Sequence, residues 1–539
     1  MSETYDYIIV GAGSAGCVLA NRLTASGTHK VLLLEAGGTD RRFWVPVPIG
    51  YGKLFYDARV NWKYRTQPVP GLNGRVDYWP RGKIIGGSSS INAMVYIRGQ
   101  AEDYDDWEAA GNPGWGYRDL LPYFRKSEAN ARGADDYHSD SGEMGVEDFK
   151  SVHPLNQVFF EGLSQMGLAP NSDFNGRRQA GYGLYQLTTR NSVRCSTSKA
   201  FLRPALRRAN LRLEMNAEVS RLIFEGKRVV GVEYVQNGQK KRARADVEVV
   251  LSGGTVNSPK LLQLSGIGPA DLLRRKGIDI AADLPGVGRN MQDHLGFASF
   301  YRIRKPSLNN ELHSTLGKLW AGFKYLAFRT GPLSVSINQG GGFFGTTPGS
   351  TRPNMQIYFV PATFTTVKPD QERALNPDPF AAVSIVVSPC RPTSRGEIDI
   401  ASADYREQPI IRPNYLSTDH DVSEALQGIR FMKKLAATPS LSALIERDIS
   451  PWASVDSDSD LLAAARETAK TTYHPTSTCM MGSDTAQAVV DQRLRVHGIG
   501  GLRIVDASIF PSMISGNTNA ASIMVGERGA DLIREDARR

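Results

Sequence analysis

Near the N-terminus the apolar positions fall in two short unbroken runs, each punctuated by glycine. The first lies in YDYIIVGAG and leads into Gly11, Gly13 and Gly16. Behind it Ala15, Val18, Leu19 and Leu23 recur at helical spacing. The second run, KVLLLEAGG, ends on the acid Glu35. This pattern predicts strand, tight turn, helix and strand. Two later stretches repeat the alternation of small-residue turn and apolar segment. WPRGKIIGGSSSINAMVYIRG (79–99) passes from a Gly/Ser loop into apolar residues, and GGTVNSPKLLQLSGIG (253–268) from a turn into an apolar helix ending at Gly266. The first offers backbone N–H groups and hydroxyls suited to an anion or a polar ring edge. Taken alone it reads equally well as a turn before a buried strand, and the second as a loop and a capped helix.

The first pattern is a full dinucleotide fingerprint: strand, GxGxxG, helix, second strand and a terminal acid. Gly11 permits the turn, Gly13 lets the backbone approach a pyrophosphate, and Gly16 lets the helix pack on the strands. Ser14 and Ala15 open the helix at the phosphates. Glu35, followed by Ala36, faces the ribose hydroxyls. The fingerprint by itself does not separate FAD from NAD. No second fingerprint of this quality follows, so one nucleotide is expected.

Composition narrows the class. The 539 residues suffice for two or three domains. With 41% hydrophobic and 22% charged residues the chain is no disordered polymer. The net charge of +9 is spread among interleaved acids and bases, as on a solvated mixed surface. No Lys/Arg cluster with interleaved aromatics suggests a nucleic-acid partner. The four cysteines lie far apart without a CxxC, which suits a reducing compartment. No apolar run is long enough for a transmembrane helix, and the N-terminus lacks the features of a signal peptide. A cytoplasmic enzyme is the expectation, with peripheral contact to an inner membrane left open.

Taken together, these segments resemble the glucose–methanol–choline (GMC) oxidoreductase family. GKIIGGSSSIN (82–92) looks like its first signature and GTVNSPKLLQLSGIG (254–268) like its second. NMQDHLG, SRGEIDI, YHPTSTCMMG, LRIVDASIFP and GNTNAASIMVGERGADLI follow in the family's order, so the resemblance runs from about residue 5 to about 534. Within the family the chain looks most like the choline-dehydrogenase and aliphatic-alcohol-dehydrogenase branch. The resemblance implies an α/β fold: a Rossmann-type FAD domain plus a substrate domain with an antiparallel sheet flanked by helices. It places FAD-domain pieces at about 1–150, 191–304 and 471–539, and substrate-domain pieces at 151–190 and 305–470.

Carried over position by position, Val219 matches the backbone contact to adenine. Gly87 and Ser88 lie by the pyrophosphate or ribityl chain, Asn92, Ala93, Met94 and Val95 along the flavin ring, and Asp506 and Ala507 near the ribityl and phosphate region. Some members bond FAD covalently through a histidine of the GGSSSIN loop. Here that position is Ile91, so FAD is expected to be noncovalent.

The family's reaction removes a hydroxyl proton and moves a hydride from carbon to flavin N5. The proton needs a base near neutrality, and the developing oxyanion needs a donor. The resemblance assigns these to His474 and Asn519. Asn517 is two residues away, and spacing alone does not choose between them. His474 and Cys479 lack a second ligand pair for a metal. His294 reads as structural, near the domain interface, and Cys479 as packing.

Substrate-facing segments are expected at 331–344 and 355–366, with Tyr473 beside them. By the same resemblance, Gln339 stands near the position at which choline-oxidising relatives carry a glutamate, which points to a neutral primary alcohol. Branch resemblance favours a quinone or other electron carrier as acceptor. An oxidase using O2, a hydroxynitrile-lyase-like enzyme and a non-catalytic FAD protein remain alternatives.

Overall fold

A computed structural model describes residues 3–347, 349–365 and 376–538. Thr366, at the end of an expected substrate-facing segment, lies outside the described residues, as does the rest of 366–375. Two seven-stranded sheets organise the chain.

In the first sheet Leu211–Met215, Val31–Glu35, Thr4–Val10 and Gln239–Leu251 lie side by side in parallel. Leu502–Ile504 adds to them along Gln239–Leu251. Arg228–Gln236 and Ala217–Glu225 extend the sheet as an antiparallel pair. The unbroken run Val31–Leu34 is explained by burial on both faces, the usual state of a parallel strand. Each of its four residues is 1% exposed or less. Burying such a side chain contributes about 2 kcal/mol. The helix Ser14–Leu23 packs against the C-terminal helix Asn519–Asp536. Arg22 joins them by bonding Glu527, which is fully buried.

The second sheet is antiparallel, in the order Ile445–Asp448, Leu295–Ile303, Ala382–Pro389, Met355–Val360, Gly340–Phe344 and Gly181–Leu184. Helices Leu155–Gln165 and Asp419–Ala436 cover it. This sheet moves one expected boundary. Leu295–Ile303 was assigned with the nucleotide body up to 304, yet it pairs with Ala382–Pro389 and belongs to the antiparallel sheet. Its burial alternates from Phe297 to Ile303, as in a strand with one face on a core. Lys470–Thr471 pairs with its first residues, so the return to the first body begins one residue beyond 471. The two crossings, near His294 and near His474, therefore lie side by side.

Candidate active site

A cavity of about 480 Å³ runs between the two sheets and is lined by both. At one end the carboxyl edges of Thr4–Val10 and Val31–Glu35 present Gly11, Gly13, Ser14, Ala15, Glu35 and Ala36. Gly16 lies behind this lining. A Cβ there would stand 1.9 Å from the Gly11 carbonyl oxygen, so the helix closes on the turn only with glycine. Gly87 has φ +53°, and its Cβ would meet the Gly13 Cα at 2.7 Å. The two glycine loops thus touch backbone to backbone. Gly13 has no heavy atom nearer than 3.8 Å to its own Cβ position, which leaves its face open to the cavity.

The Glu35 carboxylate accepts the Ala12 N–H at 2.9 Å and the Gly37 N–H at 2.7 Å. Burial pushes its pKa up to about 7 despite these bonds. Asp506 accepts from Gly254 N–H at 2.9 Å, Ser258 Oγ at 2.6 Å and Ser508 N–H at 2.8 Å. The starts of the helices Ser14–Leu23, Gly254–Leu264 and Asn519–Asp536 all border the cavity. Three positive helix ends converging on one space favour an anion such as a pyrophosphate. Ser88, Asn92, Ala93, Met94, Val95, Val219 and Ala507 also line it. Open glycine backbone, an acid at the ribose position and helix ends at the phosphates fit FAD.

At the other end stands His474. Its backbone N–H donates to Asp293 Oδ1 at 2.8 Å. Asp293 Oδ2 takes the hydroxyls of Thr471 and Tyr415, both at 2.5 Å. Arg81 Nη2 donates to the Tyr473 carbonyl at 2.5 Å. These bonds hold the turn in which Tyr473 adopts φ +69°, a costly conformation for a non-glycine residue.

The ring contacts of His474 fix its tautomer. His294 Nε2 lies 2.8 Å from the Cys390 carbonyl oxygen, which only accepts, so Nε2 carries the hydrogen of neutral His294. His294 Nδ1 is then an acceptor, and it lies 3.0 Å from His474 Nδ1. His474 Nδ1 must therefore donate. Thr472 agrees: its hydroxyl donates to the His294 carbonyl at 3.2 Å and is left to accept from His474 Nδ1 at 3.1 Å. The ring lone pair of His474 falls on Nε2, where it accepts from the Asn517 amide at 3.1 Å. Gln356 Nε2, 3.3 Å from Asn517 Oδ1, sets the orientation of that amide.

Burial, then the neighbouring His294 and Arg81, hold the His474 pKa well below the usual imidazole value. Burial lowers that of His294 to about 4. Both rings are therefore neutral at neutral pH. This has a stability consequence with a definite sign. In the unfolded chain His294 takes up a proton as pH falls through about 6.5. In the native state it resists until about 4. Stability is thus full above about 6.5 and is lost progressively down to about 4, by roughly 3 kcal/mol over the window. Thermal unfolding of the holoenzyme from pH 7.5 to 4.5 should show this fall on top of one of the same sign from His474, and His294→Gln should make the slope shallower. Equal slopes for the two proteins would discard the assignment.

Two expected positions are corrected. Asn519 Oδ1 accepts the Ser14 hydroxyl at 2.8 Å and so faces the nucleotide end, while Asn517 meets His474. Asn519 opens the last helix and Asn517 precedes it, and residues two apart do not share a face. Gln339 is 1% exposed and does not line the cavity. Its Oε1 accepts from His153 N–H at 2.9 Å and Asn156 Nδ2 at 2.8 Å, on the side away from His474. Ile337 and Asn338 line the cavity instead, with Tyr51, Phe55, Tyr358 and Tyr473. His294 does more than brace the interface, because it orders the His474 ring. Gln356 and Asp293 gave no separate signal in the sequence, although Asp293 adjoins His294 in the QDH segment.

Known proteins bear on this arrangement. The sequence profile of the GMC oxidoreductases matches residues 5–296, and its C-terminal counterpart residues 392–526. The chain is 42% identical to the mitochondrial choline dehydrogenase of Mus musculus over 99% of this chain and 90% of that protein. It is 40% identical to an alcohol dehydrogenase [acceptor] of Pseudomonas putida over 98% and 95%. An oxygen-dependent choline dehydrogenase of Photobacterium profundum is also 40% identical, over 99% and 93%. Among solved structures, pyridoxine 4-oxidase from Mesorbium loti superimposes with TM-score 0.88 at 30% identity, covering 99% of both chains. A formate oxidase structure superimposes with TM-score 0.92 at 27% identity, covering 100% of this chain and 99% of that one.

Proposed function

The chain belongs to the GMC oxidoreductase family and is an FAD-dependent alcohol oxidoreductase, and we propose that it converts a neutral primary alcohol to its aldehyde with His474 as base. One observation carries this reading: a neutral histidine whose one ring lone pair, on Nε2, is turned to an amide donor in the cavity lining, which a substrate hydroxyl can displace. The substrate hydroxyl takes the place of the Asn517 amide at His474 Nε2, which then accepts its proton. Asn517 Nδ2 has a second hydrogen for the oxygen on which charge develops. FAD, when bound, supplies the acceptor for the hydride that leaves the carbon. Tyr51, Phe55, Tyr358 and Tyr473 exclude water from the reacting carbon.

The case for a neutral substrate no longer leans on Gln339. It rests on the lining itself. Among the described residues the carboxylates bordering the cavity are Glu35, Glu218 and Asp506, and none belongs to the His474 end. A quaternary ammonium alcohol is the second reading, favoured by the aromatic faces there and by the choline-dehydrogenase relatives. A quinone or other carrier is the proposed electron acceptor, and O2 the alternative. Noncovalent attachment of FAD is the proposed state, supported by Ile91 and by a lining that, among the described residues, holds no cysteine and no histidine besides His474.

One set of assays tests these points. Purified enzyme is mixed anaerobically with short, long, aromatic and cationic alcohols, and turnover is followed with O2 and with a quinone-type dye. Flavin bleaching by neutral alcohols and turnover with the dye are expected, and acid precipitation should release all FAD. Bleaching by no alcohol would overturn the function. Preference for choline would overturn the substrate class. Peroxide formation as fast as dye reduction would overturn the acceptor, and FAD retained on the precipitate the attachment.

A further inference from the structure

The helix Thr315–Phe328 turns its apolar residues outward. Leu316, Leu319, Trp320, Phe323, Leu326 and Phe328 are between 51% and 80% exposed, while Ala321 and Tyr325 are buried. A surface helix of a water-soluble domain carries polar residues on that side. Phe43 and Trp44, 67% and 37% exposed, lie on a loop next to this helix. The hydroxyl of Tyr325 reaches the Pro46 carbonyl at 3.4 Å and so ties the helix to the loop that bears them. Contiguous exposed apolar surface of this kind marks an interaction site.

The charges around the patch are mainly positive, with Glu311 of the preceding helix Leu308–His313 the exposed acid beside it. Lys318, Lys324 and Arg329 lie on or beside the helix, and Arg41 adjoins Phe43 and Trp44. No aspartate or glutamate occurs from Leu312 to Arg329. Lys324 Nζ sits 5.5 Å from the Trp320 ring centre. Two copies meeting through this face would oppose like charges, which disfavours a symmetric dimer. An anionic lipid surface complements both the cations and the Trp, Phe and Leu side chains. The helix has 14 residues, about 21 Å of rise against the ~30 Å of a bilayer core, so it lies in the interface and does not cross.

We propose that Thr315–Phe328, with Phe43 and Trp44, docks the enzyme on an anionic lipid surface. The helix contacts the turn Pro332–Ser334, which contacts Pro48–Gly50, and these turns lead to Ile337 and Tyr51 in the cavity wall. The docked face thus adjoins the His474 end of the cavity. A lipid-dissolved alcohol and a lipid-soluble electron carrier then reach the site from the bilayer. That consequence rests on the alcohol-oxidation reading, whereas the docking itself does not.

The test is cosedimentation of the FAD-loaded full-length protein with vesicles of equal phosphatidylglycerol and phosphatidylcholine, and with phosphatidylcholine alone. Binding to the anionic vesicles is expected, weakening with salt. The triple substitution Leu319→Glu, Trp320→Glu, Phe323→Glu should lower it at least ~10-fold. The triple substitution Lys318→Gln, Lys324→Gln, Arg329→Gln should lower it several-fold and remove most of the salt dependence. Both variants should retain wild-type flavin reduction by a short water-soluble alcohol. Failure of that reduction in wild type, with vesicle binding intact, would remove the alcohol reading and leave the docking. Wild-type protein that ignores the vesicles, or glutamate and glutamine variants that bind as wild type does, would overturn the docking. So would a concentration-dependent dimer abolished by the glutamates without vesicle binding, since a second copy would then own the face.

Discussion

Replacing His474 with alanine should slow anaerobic flavin reduction by alcohol at least ~10²-fold, the usual loss for a missing general base. Among the described residues nothing else that lines this end of the cavity can take its place. Burial holds the hydroxyls of Tyr358 and Tyr473 protonated, well above their usual range. Asp293 has both oxygens engaged, with the His474 N–H, Thr471 and Tyr415. His474→Gln keeps a polar side chain of similar size without a basic nitrogen, so it should lose as much while retaining FAD. The pH dependence carries a sign. Protonation disables the base, and the lowered pKa of His474 keeps it neutral down to well below the usual imidazole value. Wild-type reduction should therefore stay level through neutral pH and fall only on the acid side. Stopped-flow bleaching of FAD-loaded wild type and both variants decides the matter. Variants within tenfold of wild type across the alcohol panel would remove His474 from the mechanism.

The second large effect separates two asparagines. Asn517→Ala should slow the same step by about 10²-fold, near 2.7 kcal/mol, as expected for loss of one donor to a developing oxyanion. The substitution also removes a hydrogen bond to His474 Nε2, so part of the loss reflects a less ordered base. Asn519→Ala removes only the partner of the Ser14 hydroxyl, at the start of the helix that meets the phosphates. It should leave reduction within a few-fold of wild type and weaken FAD retention during dialysis. Reduction rates and bound-FAD ratios for the two variants test this together. The opposite ranking would return the donor role to Asn519.

Much of this site could be read from the sequence because its cause is local. GxGxxG, the unbroken apolar run before Glu35 and the Gly/Ser loop each express a backbone requirement that a few adjacent residues satisfy. The steric limits at Gly16 and Gly87 are such requirements. His474 was legible through its family segment, but not from its neighbours alone. The reason is that its chemistry comes from groups remote in the chain, His294 at 180 positions and, through it, Cys390.

Where the reading went astray, one step along the chain reversed a direction. Asn338 lines the cavity while Gln339, the next residue, turns to His153 and Asn156 just before the strand Gly340–Phe344 begins. Asn517 and Asn519 part because a helix begins between them. Sequence periodicity gives the repeat of such an element but not its phase relative to a distant partner. Leu295–Ile303 likewise reads as a strand from its own pattern, yet only pairing with Ala382–Pro389 places it in the second sheet. By itself, then, the sequence determined the nucleotide fold and, through its family segments, the FAD cofactor, and it singled out His474, the proposed base. Which amide serves that base, which way Gln339 faces and which tautomer His474 holds were decided by tertiary contacts, since each depends on the position of groups remote in the chain.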